Sequence, residues 1–205
     1  GAASGDRISG LSPYPYGGDP TDPVAVTQCN GEPQTGVLYR NSETEPYLAV
    51  NPTDSDNMIA AWHQDRWSNG AAQGLGAAYT FDGGVTWTDV TAGLPVSAAA
   101  ITSIVSSPDD PSEVWVTFSG YAAGVKVYHS TTGGTTWSSI SGTLPNIPVN
   151  CIVYQRSSPD ALYIGTDLGV YYTDSTLNDW QFYNAGLPNV IVADLDIQYG
   201  QGKLR

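Results

Sequence analysis

The chain has 205 residues, 40% hydrophobic and 11% aromatic, which excludes a disordered composition. Seven basic residues stand against twenty acidic ones, a formal net charge of −13, and lysine occurs only at Lys126 and Lys203; without a basic patch, nucleic acid and anionic membrane are poor partners. Tyr (13) and Trp (6) outnumber Phe (3) and Met (1) among abundant Gly, Ser, Thr and Pro, a mixture that suits short strands and turns, and no apolar run approaches the roughly 18 residues of a membrane span.

Gly1-Ala2-Ala3-Ser4-Gly5 lacks the basic and apolar regions of a signal peptide and is compatible with a mature terminus left after cleavage. Residues 1–23, with Pro13, Pro15, Pro20 and Pro23 among Gly and Tyr, read as an extended Pro/Gly-rich arm. Val24 to Thr27 and Gly36 to Tyr39 read as short strands, either of which is able to pair with a sheet built from the far end of the chain. From about residue 45 the chain repeats. Tyr47 to Val50, the turn Asn51-Pro52-Thr53-Asp54, Met58 to Trp62, a polar loop, Gly76 to Tyr79, a Gly-Gly reversal and Trp87 to Val90 make four short strands. Ile101 to Val105, Val114 to Phe118 and Val125 to His129 echo them, as do Cys151 to Tyr154, Leu162 to Gly165 and Val170 to Thr173. A fourth unit opens at Val190 to Ala193 and Leu195 to Ile197. The repeats span about 45–95, 100–145, 149–188 and, in part, 190–205, within a region 24–205.

The sharpest periodic signal is a Trp followed seven positions later by Leu-Pro: Trp87 to Leu94-Pro95, Trp137 to Leu144-Pro145, Trp180 to Leu187-Pro188. Each Trp closes a turn. In Thr80 to Trp87, Gly83-Gly84 supply the positive φ of a tight reversal, Asp82 accepts bonds from the donors that the reversal leaves free, and the indole covers the turn and the neighbouring sheet. Four antiparallel strands repeated at this length predict an all-β protein of β-propeller blades, about three with a fragment. An incomplete ring needs closing by N-terminal strands, a second copy or a longer parent chain.

Thr80 to Trp87 matches the Asp-box, or bacterial neuraminidase repeat, at every defined position, and the chain therefore resembles Asp-box propellers. The structural positions are Asp82, Gly84, Thr86 and Trp87, then Gly134, Thr136 and Trp137 with Thr132 in place of the aspartate, and Trp180 alone in the third copy. That family includes sialidases, xyloglucanase-type endoglucanases, sortilin-like receptors and photosystem assembly factors. Residues 45–70 are similar to the first blade of secreted bacterial sialidase-like proteins, and residues 100–205 to later blades of extracellular bacterial Asp-box proteins. The resemblance implies secretion and carbohydrate binding. On the first-blade alignment Arg66 stands where one arginine of a sialidase triad falls, but Glu45 replaces another, and neither Arg7, Arg40, Arg156 nor Arg205 sits in a triad context.

Candidate sites follow from residue types. His63, Asp65, Arg66, Trp67 and Asn69 concentrate an imidazole, an ion pair and an indole suited to a sugar; the plain reading is a surface ion pair with Trp62 and Trp67 in the core. Asp65, Arg66 and Asp167 are the candidate catalytic groups of a glycoside hydrolase, Asp167 by its likeness to a Thr-Asp-x-Gly turn of the xyloglucanase type. Asp54 to Asn57 and Asp194 to Asp196 offer oxygens to calcium but lack the loop of a dedicated site, so neither cofactor nor metal is expected. Cys29 and Cys151 are a candidate disulfide or a pair of buried thiols. The function expected is an extracellular binding or structural module with glycan or cell-surface polysaccharide as candidate ligand. A sialidase-like or other glycoside hydrolase and a subunit of a surface assembly are the alternatives.

Overall fold

The computed structural model describes residues 37–68, 72–183, 185–199 and 203–204. The described residues form strands and turns without a helix, as the β-branched, aromatic and Gly/Pro-punctuated sequence demands. Blade 1 contains β1 (Leu38–Asn51), β2 (Asp54–Trp67), β3 (Ala72–Thr80) and β4 (Thr88–Asp89) in that spatial order. Blade 2 repeats the order with β5 (Ile101–Ser106), β6 (Val114–Phe118), β7 (Val127–Ser130) and β8 (Ser138–Ser139). Blade 3 does so with β9 (Val149–Gln155), β10 (Ala161–Thr166), β11 (Gly169–Thr173) and β12 (Gln181–Phe182). Every neighbouring pair within a blade is antiparallel.

A fourth blade begins in register. Thr102 Oγ1 on β5 donates to Val149 O on β9 at 2.6 Å, and Asn150 Nδ2, one repeat later, donates to Val192 O at 3.2 Å. Val192 thus occupies the position of Val149. β13 (Ile197–Gln198) pairs with β14 (Lys203–Leu204) as the end of β9 pairs with the start of β10. Gly165 admits the irregular segment before β13: a Cβ there would lie 2.7 Å from Val192 Cγ1 and 2.6 Å from Cys151 Sγ. The four innermost segments face one another across an axial cavity of about 320 Å³, lined among others by Leu48, Ile104, Ile152 and Ile197.

The two largest apolar cores lie between sheets; a small one, Ala60, Trp62 and Ala78 with Trp87, belongs to blade 1 alone. Ile59, Ala61, Ala77, Val90 and Leu94 of blade 1 pack with Ile101, Val114, Val116 and Phe118 of blade 2. Trp115, Val127 and Leu144 of blade 2 pack with Val149, Ile152, Leu162, Ile164 and Trp180 of blade 3. Cys151 and Val170 begin a third core with Leu195, Val192 and Leu204.

Two sequence expectations are corrected. Leu38 and Tyr39 are not part of a separate strand available to the far sheet: they begin β1, whose register against β2 shifts at three places; Gly36 lies outside the described residues. The polar loop after Trp62 is strand as well. β2 continues to Trp67 because Leu38 to Thr44 on one side and Ala72 to Leu75 on the other satisfy its backbone groups. Gly76 stands opposite Trp62 because a Cβ there would meet the indole at 2.7 Å.

Candidate functional site

The three Trp hairpins share one bonding plan and differ in how they meet their neighbours. In the first, Asp82 Oδ1 accepts from Thr80 Oγ1 (2.6 Å) and Thr86 N (2.9 Å), and Oδ2 accepts from Thr86 Oγ1 (2.6 Å). These bonds, the one from Thr80 foremost, hold the Asp82 carboxyl down at about 2. In the second, Thr132 Oγ1 accepts from Thr136 N at 2.9 Å and shares a 2.9 Å bond with Thr136 Oγ1, so a hydroxyl reproduces the carboxylate's geometry without its charge. Gly84 N and Gly134 N donate to Thr80 Oγ1 and Ser130 Oγ in the same way. Trp87 Nε1 donates to Gly84 O of its own turn, at 3.1 Å. Trp137 Nε1 instead donates to Val90 O of blade 1 (3.0 Å), and Trp180 Nε1 to Ile140 O of blade 2 (2.7 Å). The indole is therefore a staple between blades wherever a preceding blade is described.

The third hairpin has lost its glycines and is rebuilt from acids. Asp174 accepts from Thr176 N and Oγ1 at 2.8 and 2.6 Å and from the Tyr172 hydroxyl, bonds that lower its pKa, Thr176 foremost. Asp179 accepts from Thr143 N of blade 2 at 3.1 Å and from Trp180 N at 2.8 Å, and its pKa is lowered, chiefly through Thr143. Gly142 makes room for it: a Cβ there would lie 2.0 Å from Asp179 Oδ1.

The rebuilt turn opens the junction. Between blades 1 and 2 the corresponding space is about 10 Å³, closed by Phe81 and the Gly133 turn against Tyr79 and Met58. Between blades 2 and 3, where Thr131 replaces Phe81 and Leu177 replaces Gly134, there is a groove of about 410 Å³. Its walls carry Glu113, Asp160, Asp174 and Asp179, and its floor the His129 ring, stacked on Trp115 at 4.7 Å and 1°. His129 Nε2 is 3.6 Å from Glu113 Oε1 and lies buried without a hydrogen-bond partner. Burial lowers the His129 pKa against the opposing pull of Asp160, so the ring is neutral at pH 7. Burial, then the charges of Asp160 and Asp110, raise that of Glu113. The groove is thus a partly desolvated region of negative potential. Among the described residues no group of three His, Cys, Asp or Glu side chains is close enough to hold a metal ion.

The site residues expected from sequence are scattered. Asp65 is fully buried at φ +56°, accepting from Gln64 Nε2 at 3.2 Å, while Gln64 Oε1 accepts from Trp62 Nε1 at 2.9 Å. Trp67 is buried too, so neither presents the open-face carboxylate or stacking ring that the sequence suggested; nor are Asp65 and Arg66 an exposed pair. Partly exposed His63 and Arg66 remain, with Arg66 Nη1 3.4 Å from Thr44 Oγ1. Asp167 accepts from Asn150 Nδ2 at 3.1 Å in the tight β10–β11 turn, on the same end of the molecule as the β2–β3 tip but two blades away. Cys151 is a buried free thiol whose pKa burial pushes up to about 11; Asn69 and Cys29 lie outside the described residues. The groove escaped the sequence reading, although its signal, the exchange of Gly-Gly for Thr-Leu in the third Trp hairpin, was in view.

No protein-family profile matches the chain, and no curated protein does. Solved structures do. A GH74 enzyme of Niastella koreensis aligns at 16% identity and TM-score 0.50 over 70% of this chain and 22% of that one. The GH74 xyloglucanase of Xanthomonas campestris aligns at 16% and 0.50 over 70% and 24%. YCF48 bound to a D1 peptide aligns at 19% and 0.50 over 79% and 48%. The chain thus spans less than half the length of each. At these identities the likeness shows the fold, a β-propeller with part of its blades in this chain.

Proposed function

We propose that the chain is an extracellular Asp-box binding module whose blade 2–blade 3 groove takes a cationic segment, a basic peptide being the favoured form and an amine-bearing glycan the other outcome. The observation that carries this reading is the contrast between equivalent junctions: about 10 Å³ at one and about 410 Å³ at the next, the open one walled by four carboxyl groups. A lysine or arginine side chain would offset both the burial and, after it, the neighbouring charges of Asp160 and Asp110 that raise the Glu113 pKa, and the spread of the acids suits an extended organic cation better than a metal ion. The peptide in the YCF48 complex supports a peptide ligand as a use of this fold. Extracellular placement rests on the acidic, lysine-poor composition and on the family resemblance.

The test is titration with an oligolysine peptide, an oligoglucosamine and neutral xyloglucan, read by intrinsic Trp fluorescence. Binding of a cationic probe that weakens with salt and is lost in Glu113→Gln supports the reading; equal binding of the neutral glucan, or none of the cations, sinks it.

A second reading, glycoside hydrolysis, draws on the opposed shifts of Glu113 and Asp179 in one groove and on the GH74 neighbours. It is the weaker because Asp174 and Asp179 already accept bonds that hold their turn together, and Asp160 accepts from the Tyr154 hydroxyl. Release of reducing sugar from xyloglucan, abolished in Glu113→Gln or Asp167→Ala, would reverse the order.

A further inference from the structure

At the bottom of the blade 2–blade 3 groove two polar atoms meet without a bond. His129 is the cross-strand partner of Trp115 and lies flat on its indole, the rings 4.7 Å apart and 1° from parallel, so the imidazole is held in one plane. Its Nε2 is buried, has no hydrogen-bond partner and stands 3.6 Å from Glu113 Oε1. The backbone of Glu113 is fixed on both sides, its N–H donating to Asp110 O at 3.0 Å and its carbonyl accepting from Ser107 N at 2.9 Å. With ring and backbone both held, the Glu113 carboxylate is the part left to move, and roughly half an ångström brings the two atoms to hydrogen-bond distance. An unmade bond between buried groups is costly, and one proton shared between nitrogen and oxygen repairs it.

Among the described residues no lysine or arginine lines the groove to compete for the carboxylate. The groups that face the pair are Asp110 in the turn before Glu113, Asp160 in the β9–β10 turn, Asp174 and Asp179 in the third hairpin, and Tyr154. The Tyr154 ring packs on Trp115 at 5.3 Å, and its hydroxyl donates to Asp160 at 3.0 Å.

We infer that His129 and Glu113 are a one-proton release switch: near neutral pH the pair carries a negative charge that helps hold a cationic side chain, and in mild acid a single proton taken up between Nε2 and Oε1 cancels that charge and frees the ligand. The switch presupposes that the groove binds cations, and it adds the condition under which they leave. Because the two atoms titrate as a pair, the net change is the same whether the proton comes to rest on nitrogen or on oxygen. Burial lowers His129 from its ordinary 6.5 and raises Glu113 from its ordinary 4.5, so the two converge, and Asp160 adds an upward pull on both. Asp174 and Asp179, held below their ordinary 3.8 by bonds from Thr176 and Thr143, keep their charge meanwhile.

The probe is pentalysine, acetylated and amidated at its ends so that its charge is constant from about pH 7.5 to about pH 5, titrated by calorimetry into the full 205-residue chain at fixed salt. Binding at least about tenfold weaker at the acid end is expected, with up to about one proton released per peptide bound, read from paired buffers of different ionisation enthalpy. His129→Gln leaves Glu113 to take the proton alone and should move the midpoint of release at least about one pH unit toward acid. Should that variant fold poorly, the imidazole nitrogen shifts answer without ligand. The chain has two histidines, and in Glu113→Gln the His129 titration should fall by at least about one pH unit while that of His63 stays put. Affinity that ignores pH, or a His129 titration that Glu113→Gln leaves unmoved, overturns the switch alone. No pentalysine binding at any pH overturns the cation-binding reading itself, and the release with it.

Discussion

Replacing Trp180 with Phe isolates the inter-blade staple. The phenyl ring keeps most of the packing against Leu144, Ile152 and Leu162 but loses the 2.7 Å bond from Nε1 to Ile140 O. The net value of such a bond is about 1 kcal/mol, and the carbonyl left in a half-buried junction adds up to about as much again. A ring smaller by roughly 40 Å² removes about 1 kcal/mol at about 25 cal/mol per Å². The expected loss is about 2–3 kcal/mol, or about 5–10 °C in melting temperature for a chain of this size. Trp87→Phe is the internal control: its indole bonds only to Gly84 O of its own turn, and about 1 kcal/mol or less is expected. Urea denaturation followed by far-UV circular dichroism gives both numbers. Equal losses in the two variants would refute the staple and reduce all three tryptophans to turn covers.

The acid limb of stability should depend on Asp82. Its carboxyl is lowered from 3.8 to about 2 in the folded chain, so its contribution is present above pH 4 and lost as the pH falls toward 2. Asp82→Thr, which copies the working second hairpin, should flatten that part of the melting-temperature profile; an unchanged profile counts against the assignment. Glu113 runs the other way, since a raised pKa means that ionisation disfavours the folded state. Its contribution is full below the ordinary Glu pKa of 4.5 and is lost as pH rises through the folded value, so Glu113→Gln should be the more stable protein at pH 7 and lose that advantage near pH 4. Gly165→Ala should cost about 1–3 kcal/mol, because its methyl group would collide with Cys151 and with Val192 of the segment leading to β13; a neutral outcome would mean that residues 190–196 do not pack there in solution.

The Trp-to-Leu-Pro spacing disclosed the repeat because each of its residues answers to a local demand: a turn to close, a junction to fill, a strand to end. The spacing of a fourth unit was legible for the same reason, since Val192 and Leu195 keep the spacing of Val149 and Ile152, but Val190 to Ala193 and Leu195 to Asp196 are irregular chain where strands were expected, and only Ile197 enters β13. What was not legible depended on partners remote in sequence. Asp65 to Trp67 read as loop because their polarity suits one, and only the strands laid against them on both sides make them part of a sheet. The groove was hidden because it is a subtraction: a worn motif reads as decay, whereas in three dimensions the missing Phe81 ring and Gly-Gly turn become volume.

Placing the two largest apolar cores between sheets gives the molecule a direction of fraying. Among the described residues, blade 2 is flanked on both sides and opens only by breaking two interfaces with full sheets, while blade 1 has one. Amide protons of β6 should therefore outlast those of β2 in deuterium exchange, although β2 is much the longer strand. Endurance in this architecture belongs to position in the row, and a sheet acquires it from its neighbours.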